Sequence, residues 1–154
     1  FNYCYTAKKQ RITIRNMEID DLYPIYGMGE QIFTTKSSNL YNFWDEHLVL
    51  QSFLSDPDLC AVATVKEPGS DKETVVGFSF GTTIEKPRSS WKYAYLVWLG
   101  CSNDYQGLGL ASQLYNGMLE LLWIEKCRIL MIDTRAFKLQ YVDILLTLFS
   151  INEL

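Results

Sequence analysis

The sequence predicts a single α/β domain of the mixed, α+β kind. A mostly antiparallel central sheet carries one β-α-β crossover and flanking helices. Three observations predict it. Strand-like and helix-like segments follow the order β-α-α-β-β-β-α-β along 154 residues, enough for one domain with a full-sized core. Two strand-like runs are joined by "KEPGSDKE", whose Pro68-Gly69 and Ser70-Asp71 pairs mark a turn, so residues 59–85 form a β-hairpin. The last three segments, over residues 91–133, run strand, helix, strand, a right-handed crossover with a local parallel pair.

Each element has its own warrant. Residues 1–10 read as a leader or linker. "RITIR" (Arg11–Arg15) alternates polar and apolar β-branched residues, the period of a strand. In "EIDDLYPIYGMGEQIF" the acids come first, where the helix dipole favours them, and Ile19, Leu22, Ile25 and Tyr26 recur at helical spacing. Pro24 falls near the first turn, where it is tolerated. "DEHLVLQSFLSDPD" reads as a second helix, stopped by Asp56-Pro57. "LCAVATV" (Leu59–Val65) and "TVVGFSFGTTIE" (Thr74–Glu85) are the hairpin strands. "WKYAYLVWLGC" (Trp91–Cys101) is apolar on both faces, as expected of a central strand covered on both sides. "LASQLYNGMLELLWIEK" is a helix with Leu110, Leu114, Met118, Leu121 and Leu122 on one broad face. Gly117 inside it costs about 1 kcal/mol against alanine. "RILMID" (Arg128–Asp133) is a further buried strand. The domain therefore spans residues 11–136, and an atypical apolar segment occupies 137–154.

Composition limits what such a domain handles. With 48% hydrophobic and 21% charged residues the chain is globular rather than disordered. A net charge of −4 argues against nucleic acid as the main partner, because phosphate binding shows as a basic surface. An acidic field suits small amines or basic peptides. No apolar run is long enough to span a membrane. Cys4, Cys60, Cys101 and Cys127 contain no C-x-x-C pair and are too sparse for a disulfide scaffold. They are expected as free thiols in a reducing compartment, cytoplasmic or nuclear. The single histidine, His47, lies far in sequence from any cysteine pair, so no metal site is expected.

The chemistry concentrates in "SNDYQGLGLASQLY" (Ser102–Tyr115). A helix starting near Gly109 leaves backbone N–H groups unpaired, and with the dipole these make an anion site. Glycines at 107 and 109 remove Cβ atoms that would hold phosphate oxygens away. The residues alone leave several readings open, the plainest being a tight turn into a helix. A P-loop needs a lysine that is absent here. A dinucleotide fold would put its third glycine at Ser112 and its ribose-binding acid at Asp133. Against it, "SNDYQ" separates strand from glycine, and about ninety residues with a hairpin precede the crossover. Coenzyme A is the third possibility.

At this point the sequence resembles the GNAT acyl-CoA N-acyltransferases. Their signature, Gln/Arg-x-x-Gly-x-Gly/Ala, is matched in full by Gln106-Gly107-Leu108-Gly109-Leu110-Ala111. The preceding "LGCSNDY" is similar to the family's apolar-x-apolar strand end and short loop, and the element order matches from Arg11 to Ala136. The resemblance implies an acyl-CoA N-acyltransferase-like fold and acetyl-CoA as cosubstrate. It implies that the pyrophosphate rests on backbone N–H groups of Gln106, Gly107, Leu108, Gly109, Leu110, Ala111 and Ser112. The pantetheine arm would pair with Leu99, Gly100 and Cys101 like an added strand, and the N–H of Leu99 or Cys101 would polarise the thioester carbonyl. A neutral primary amine, on a small molecule or a peptide, would attack the thioester directly. That attack needs a base for the ammonium proton and benefits from an acid for the leaving thiolate. Glu85 at the end of the third strand is the first candidate base, with Asp104, Glu30 and Glu46 as others. Tyr141 is the candidate acid. Tyr93 and Tyr95 pack in the core or line the acceptor pocket. Cys101 is not expected to act as a nucleophile, and His47 is expected as an exposed helix residue.

The resemblance fails after "DTRA". The family continues with a helix carrying Asn, Ala and often Tyr, then Gly-Phe and two more strands. Here "FKLQYVDILLTLFSINEL" follows, and Tyr141 stands at a different offset. The apolar run Val142–Phe149 is expected as a buried helix, an edge strand or a contact with another chain. A homodimer or partner chain completing the sheet would satisfy an open edge. The rival function is a catalytically impaired module that holds coenzyme A or nothing.

Overall fold

The computed structural model describes residues 2–7, 10–34, 43–67, 69–89, 92–127 and 129–132. Six strands form one sheet, and their order in space is their order in the chain: β1 (Asn2–Ala7), β2 (Gln10–Asn16), β3 (Cys60–Lys66), β4 (Glu73–Glu85), β5 (Lys92–Cys101) and β6 (Ile129–Ile132). Every neighbouring pair is antiparallel except β5 and β6, which are parallel. The helix α3 (Leu110–Ile124) connects that parallel pair, as the crossover predicts.

One expectation is corrected. Residues 1–10, read as a leader, contain strand β1. It pairs antiparallel with β2 from Asn2 opposite Arg15 to Ala7 opposite Gln10. Tyr5 lies opposite the fully buried Ile12, so this segment has an apolar partner on one face of the sheet. A second expectation is refined. Strand β5 is interior, with β4 on one side, but its other neighbour is the short β6 rather than the middle of a wide sheet.

The two faces of the sheet are covered by different helices. On one face α1 (Leu22–Ile32) and α2 (Glu46–Ser55) pack over Val62, Phe78, Phe80 and Trp98. A 3-10 turn, Ile19–Asp21, leads into α1. The Asp21 carboxylate there is nearly buried, and it is paired rather than orphaned. It accepts from both terminal nitrogens of Arg15 at 2.7 and 3.0 Å and from the Glu18 N–H at 2.8 Å. Helix α2 is capped by Asp45, whose side chain accepts from the Leu48 N–H at 2.9 Å. It stops at Asp56-Pro57, and the Asp56 carboxylate accepts from the N–H and hydroxyl of Thr83 at 3.1 and 3.0 Å. That contact ties the end of α2 to β4.

On the other face lies α3. Strand β4 presents Gly77, Ser79 and Gly81 to it, while Phe78 and Phe80 point to α1 and α2. Small residues at every second position let the helix approach closely, and Leu110, Leu114 and Met118 fill the space. The β4–β5 register slips between Phe80 and Gly81, because Phe80 pairs with Trp98 and Gly81 with Leu96. Val97 is therefore the extra residue of a β-bulge, which increases the local twist.

Gly29 of α1 shows how tightly the first face is packed. A Cβ at this position would overlap the Trp44 indole. Trp44 donates from Nε1 to the Tyr26 carbonyl at 3.0 Å and sits about ring-to-ring with Phe33, Phe78 and Trp98, at 5.0, 5.4 and 5.1 Å. Helix propensity alone predicts that Gly29→Ala stabilises the protein by about 1 kcal/mol. Overpacking predicts the reverse, a loss of about 1–3 kcal/mol. Urea denaturation of G29A is expected to give the loss, and a raised midpoint would contradict this packing.

Candidate functional site

Strand β5 ends at Cys101, and the Ser102 N–H donates to the Val76 carbonyl at 2.9 Å, so the chain leaves the sheet at a fixed point. A 3-10 turn over Asn103–Tyr105 follows. Within the loop, Gln106 Nε2 donates to Asn103 Oδ1 at 2.9 Å. Gly107 and Gly109 have φ of 74° and 77°, a backbone that side chains bearing Cβ rarely adopt. Gly109 is the N-cap of α3 and brings no side-chain cap. The first intrahelical bond there runs from the Gln113 N–H to the Gly109 carbonyl at 3.0 Å. The N–H groups of Leu110, Ala111 and Ser112 come before it and have no intrahelical acceptor.

The surroundings keep this helix start open and in place. Among the described residues, a Cβ on Gly107 or Gly109 would meet nothing within 4 Å. Behind them Leu110 is 1% exposed and presses on Gly77, where a Cβ would come within 3.0 Å of its Cδ2. Leu108 is half-buried, and Gln106 is exposed. The helix dipole adds positive potential at the same end. The arrangement is an anion cradle of backbone donors at a helix N-terminus.

Among the described residues the pairing of β5 with β6 covers Tyr93 to Leu96. Val97 to Cys101 continue with β4 alone, apart from the bulge. Among the described residues, the backbone groups of Leu99, Gly100 and Cys101 on the β6 side have no strand partner. An extended chain of amides pairs with such groups as an added strand does.

The structure places the other candidates unequally. Glu85, the first candidate base, is not brought to the cradle. It pairs with Lys92, seven residues before Leu99, which is about 23 Å along the strand at about 3.3 Å per residue. Its side chain is 75% exposed and lies 3.6 Å from the Lys92 ammonium. Sequence shows that Glu85 ends a strand, but the antiparallel pairing decides which end of the sheet that is. Asp104 is exposed in the 3-10 turn, and His47 is exposed on α2. Tyr141, with Asp133 and Val142–Phe149, lies outside the described residues. Tyr93 and Tyr95 alternate with the buried Ala94 and Leu96, so they stand on the α1–α2 face. On that face the Tyr26 hydroxyl donates to Glu30 Oε1 at 3.0 Å. This hydrogen bond raises the Tyr26 pKa, and the negative charges of Glu46 and Asp45 add to the effect. The gathering of Tyr26, Glu30 and Glu46 had one sequence signal, the i, i+4 spacing of Tyr26 and Glu30.

All four cysteines are free thiols. Burial pushes Cys101 and Cys60 up to about 12, so both stay protonated at neutral pH. Cys101 therefore offers no thiolate for covalent catalysis. Iodoacetamide on the native protein at pH 8 is expected to label the exposed Cys4 first, with Cys60 and Cys101 slow, as read by peptide mass spectrometry. Early labelling of Cys101 would contradict its burial. The same shifts set a pH dependence. Raised folded pKa values mean that the unfolded chain loses these protons first, so the stability they give is complete below about 9 and is lost as pH rises towards 12. The urea midpoint is expected to fall between pH 8 and about 10.5. A flat profile would contradict it.

Comparison with known proteins follows from this geometry. The model of the acetyltransferase (GNAT) family matches residues 19–140. A search among curated protein sequences finds no significant match. Among solved structures, the NatC complex bound to Gag peptide and CoA contains a chain with a TM-score of 0.71 at 15% identity, over 90% of this chain and 81% of that one. Ard1 from Thermoplasma volcanium gives 0.69 at 19% identity, over 88% and 80%. The aminoglycoside N-acetyltransferase AAC(6')-Iy in complex with CoA gives 0.65 at 15% identity, over 94% and 90%. At these identities the structural likeness concerns the fold.

Proposed function

The chain belongs to the acetyltransferase (GNAT) family, and from that premise we propose that it moves the acetyl group of acetyl-CoA to a primary amine on a small molecule or a peptide. It is an N-acetyltransferase with acetyl-CoA as cosubstrate. The observation that carries the site assignment is the Gly109-capped start of α3, where three N–H groups have no intrahelical acceptor, close to the end of β5. The diphosphate of acetyl-CoA rests on the N–H groups of residues 106–112. Its pantetheine amides pair with Leu99, Gly100 and Cys101, and so deliver the thioester to the bulge at Val97.

The chemistry then needs few groups. The amine nitrogen attacks the thioester carbon, and a backbone N–H at Leu99 or Cys101 stabilises the oxyanion. The new C–N bond forms, the C–S bond breaks, and the ammonium proton leaves to a base or to water. The acceptor enters from the α1–α2 face. Tyr26, Glu30, Asp45 and Glu46 collect negative charge there, which favours a cationic amine over a neutral or acidic acceptor. One neighbour was solved with a peptide and another is an aminoglycoside N-acetyltransferase, which supports amine acceptors of either kind. The four free thiols support a cytoplasmic or nuclear setting. NatC is a complex, which supports a partner chain for this one.

Calorimetry with acetyl-CoA, CoA and NAD tests the cofactor, and amine-dependent release of CoA thiol tests the transfer. Binding of both CoA species with thiol release is expected. Binding of NAD alone would overturn the cofactor assignment, and CoA binding without release on any amine panel would assign a binding module. Gly109→Ala places a Cβ in the cradle and strains the cap. It is expected to weaken CoA binding by about ten-fold or more, the equivalent of about 1.4 kcal/mol.

A further inference from the structure

The cradle is attached to a part of the chain that precedes its own fold elements by about ninety residues. The Tyr105 hydroxyl donates to Gln10 Oε1 at 2.6 Å, and both side chains are half-buried. Gln10 is the first residue of β2 and pairs with Ala7, the last of β1. Tyr105 immediately precedes the Gln106 that opens the glycine loop. In a flat sheet β1 and β5 would stand about 19 Å apart, four spacings of about 4.8 Å. Here strand twist closes the distance. Tyr5 of β1 packs in the same cluster as Leu99, Cys101 and Tyr105, around Ile12, Ile14, Leu110 and Leu114. Its phenol is pushed up to about 12, first by burial and then by the charge that Cys101 would carry. Strands β1 and β2 thus pack through Tyr5, Ile12 and Ile14 in the cluster where β5 gives way to the loop.

Several further ties within the loop are short-range. Tyr105 N–H donates to Ser102, Gln106 N–H to Asn103, and Gln106 Nε2 to Asn103. Ser102 to Val76 holds only the first loop residue to the sheet. Two residues of the loop, Gly107 and Gly109, have no side chain to anchor them. The Tyr105–Gln10 bond, with a sequence separation of 95, ties this loop to the first residue of β2.

We infer that Tyr105 and Gln10 are positioning residues for the cofactor, and that the β1–β2 hairpin acts as a brace that pre-orders the 106–112 cradle. Neither side chain touches the reacting atoms. Their effect reaches the cofactor through the loop, by removing disorder that binding would otherwise have to remove. The inference rests on the coenzyme A reading of the loop. It also predicts an effect in the empty protein, which keeps the two separable.

The test uses Tyr105→Phe, Gln10→Ala and the double variant in the full chain. Tyr105→Phe keeps the ring in its cluster and removes only the hydroxyl, so it is expected to fold with nearly unchanged circular dichroism. Each single variant is expected to raise the KM and Kd for acetyl-CoA about five-fold, while kcat at saturation stays within about two-fold. The double variant is expected to be no worse than either single, because both remove one bond. Hydrogen exchange at the amides of residues 107–112, measured without cofactor, is expected to quicken in both singles. Gln10→Glu retains the acceptor and is expected to restore affinity if Gln10→Ala loses it. Unchanged acetyl-CoA affinity and unchanged exchange in both singles would overturn the brace while leaving the cofactor assignment standing. Faster exchange in both singles, together with a wild-type protein that binds no coenzyme A, would retain the brace and sink the cofactor assignment. A fall in kcat with KM unchanged would overturn the positioning role.

Discussion

The candidate site depends on the antiparallel pairing of β4 with β5. That pairing sets Gly77 opposite Cys101 and Ser79 opposite Leu99, so it decides where β5 stops and where the loop begins. Two glycines make the pairing compatible with the helix that follows. Gly77 leaves room for Leu110 at the start of α3, and Gly100 leaves room for the Phe78 ring on the opposite face. Any side chain at either position would lift the helix from the sheet or the ring from its cluster. The N-terminus of α3 is thus positioned by backbone pairing and close packing, and its free N–H groups follow as a consequence. The bulge at Val97 belongs to the same pairing. It falls directly after Leu96, the last β5 residue paired with β6 among the described residues.

Much of this was legible in the sequence because local rules and global fold agree. Asp45 and Asp56-Pro57 bracket α2 as capping and proline chemistry require. The positive φ of Gly107 and Gly109 is what a Gly-x-Gly turn into a helix calls for. The parallel β5–β6 pair is what a strand-helix-strand order demands. The misses have physical causes. The six residues of β1 are too short for a period to stand out, and Tyr5 finds its apolar neighbours only through pairing with β2. Glu85 looked suitable because it ends a strand. Its location was settled by the hairpin register, which puts it beside Lys92 at the far end of β5. The bulge at Val97 has no residue signature, since it arises where β4 and β5 accommodate Gly81 and Trp98 together.

The two substrates are specified by different kinds of structure. In the proposed reading the cofactor is met by backbone donors, and a backbone cradle needs only glycines, a helix start and a sheet to press against. Those features leave a short motif that can be read directly. In the proposed reading the acceptor is met by side chains on α1 and α2, elements that join the sheet through Trp44, Phe33 and Phe78 rather than through any motif. Carboxylates at residues 30, 45 and 46 come together only once those helices are packed. That is why the sequence speaks plainly about acetyl-CoA and sparingly about the amine.

The most direct test of the central claim is a titration of 15N-labelled protein with acetyl-CoA, followed through the backbone amide resonances. The account predicts the largest shifts at residues 107–112 and at Leu99 to Cys101, with smaller ones on α1 and α2. Large shifts confined to α1, α2 or the Glu85–Lys92 end of the sheet, with the 107–112 amides unmoved, would contradict it.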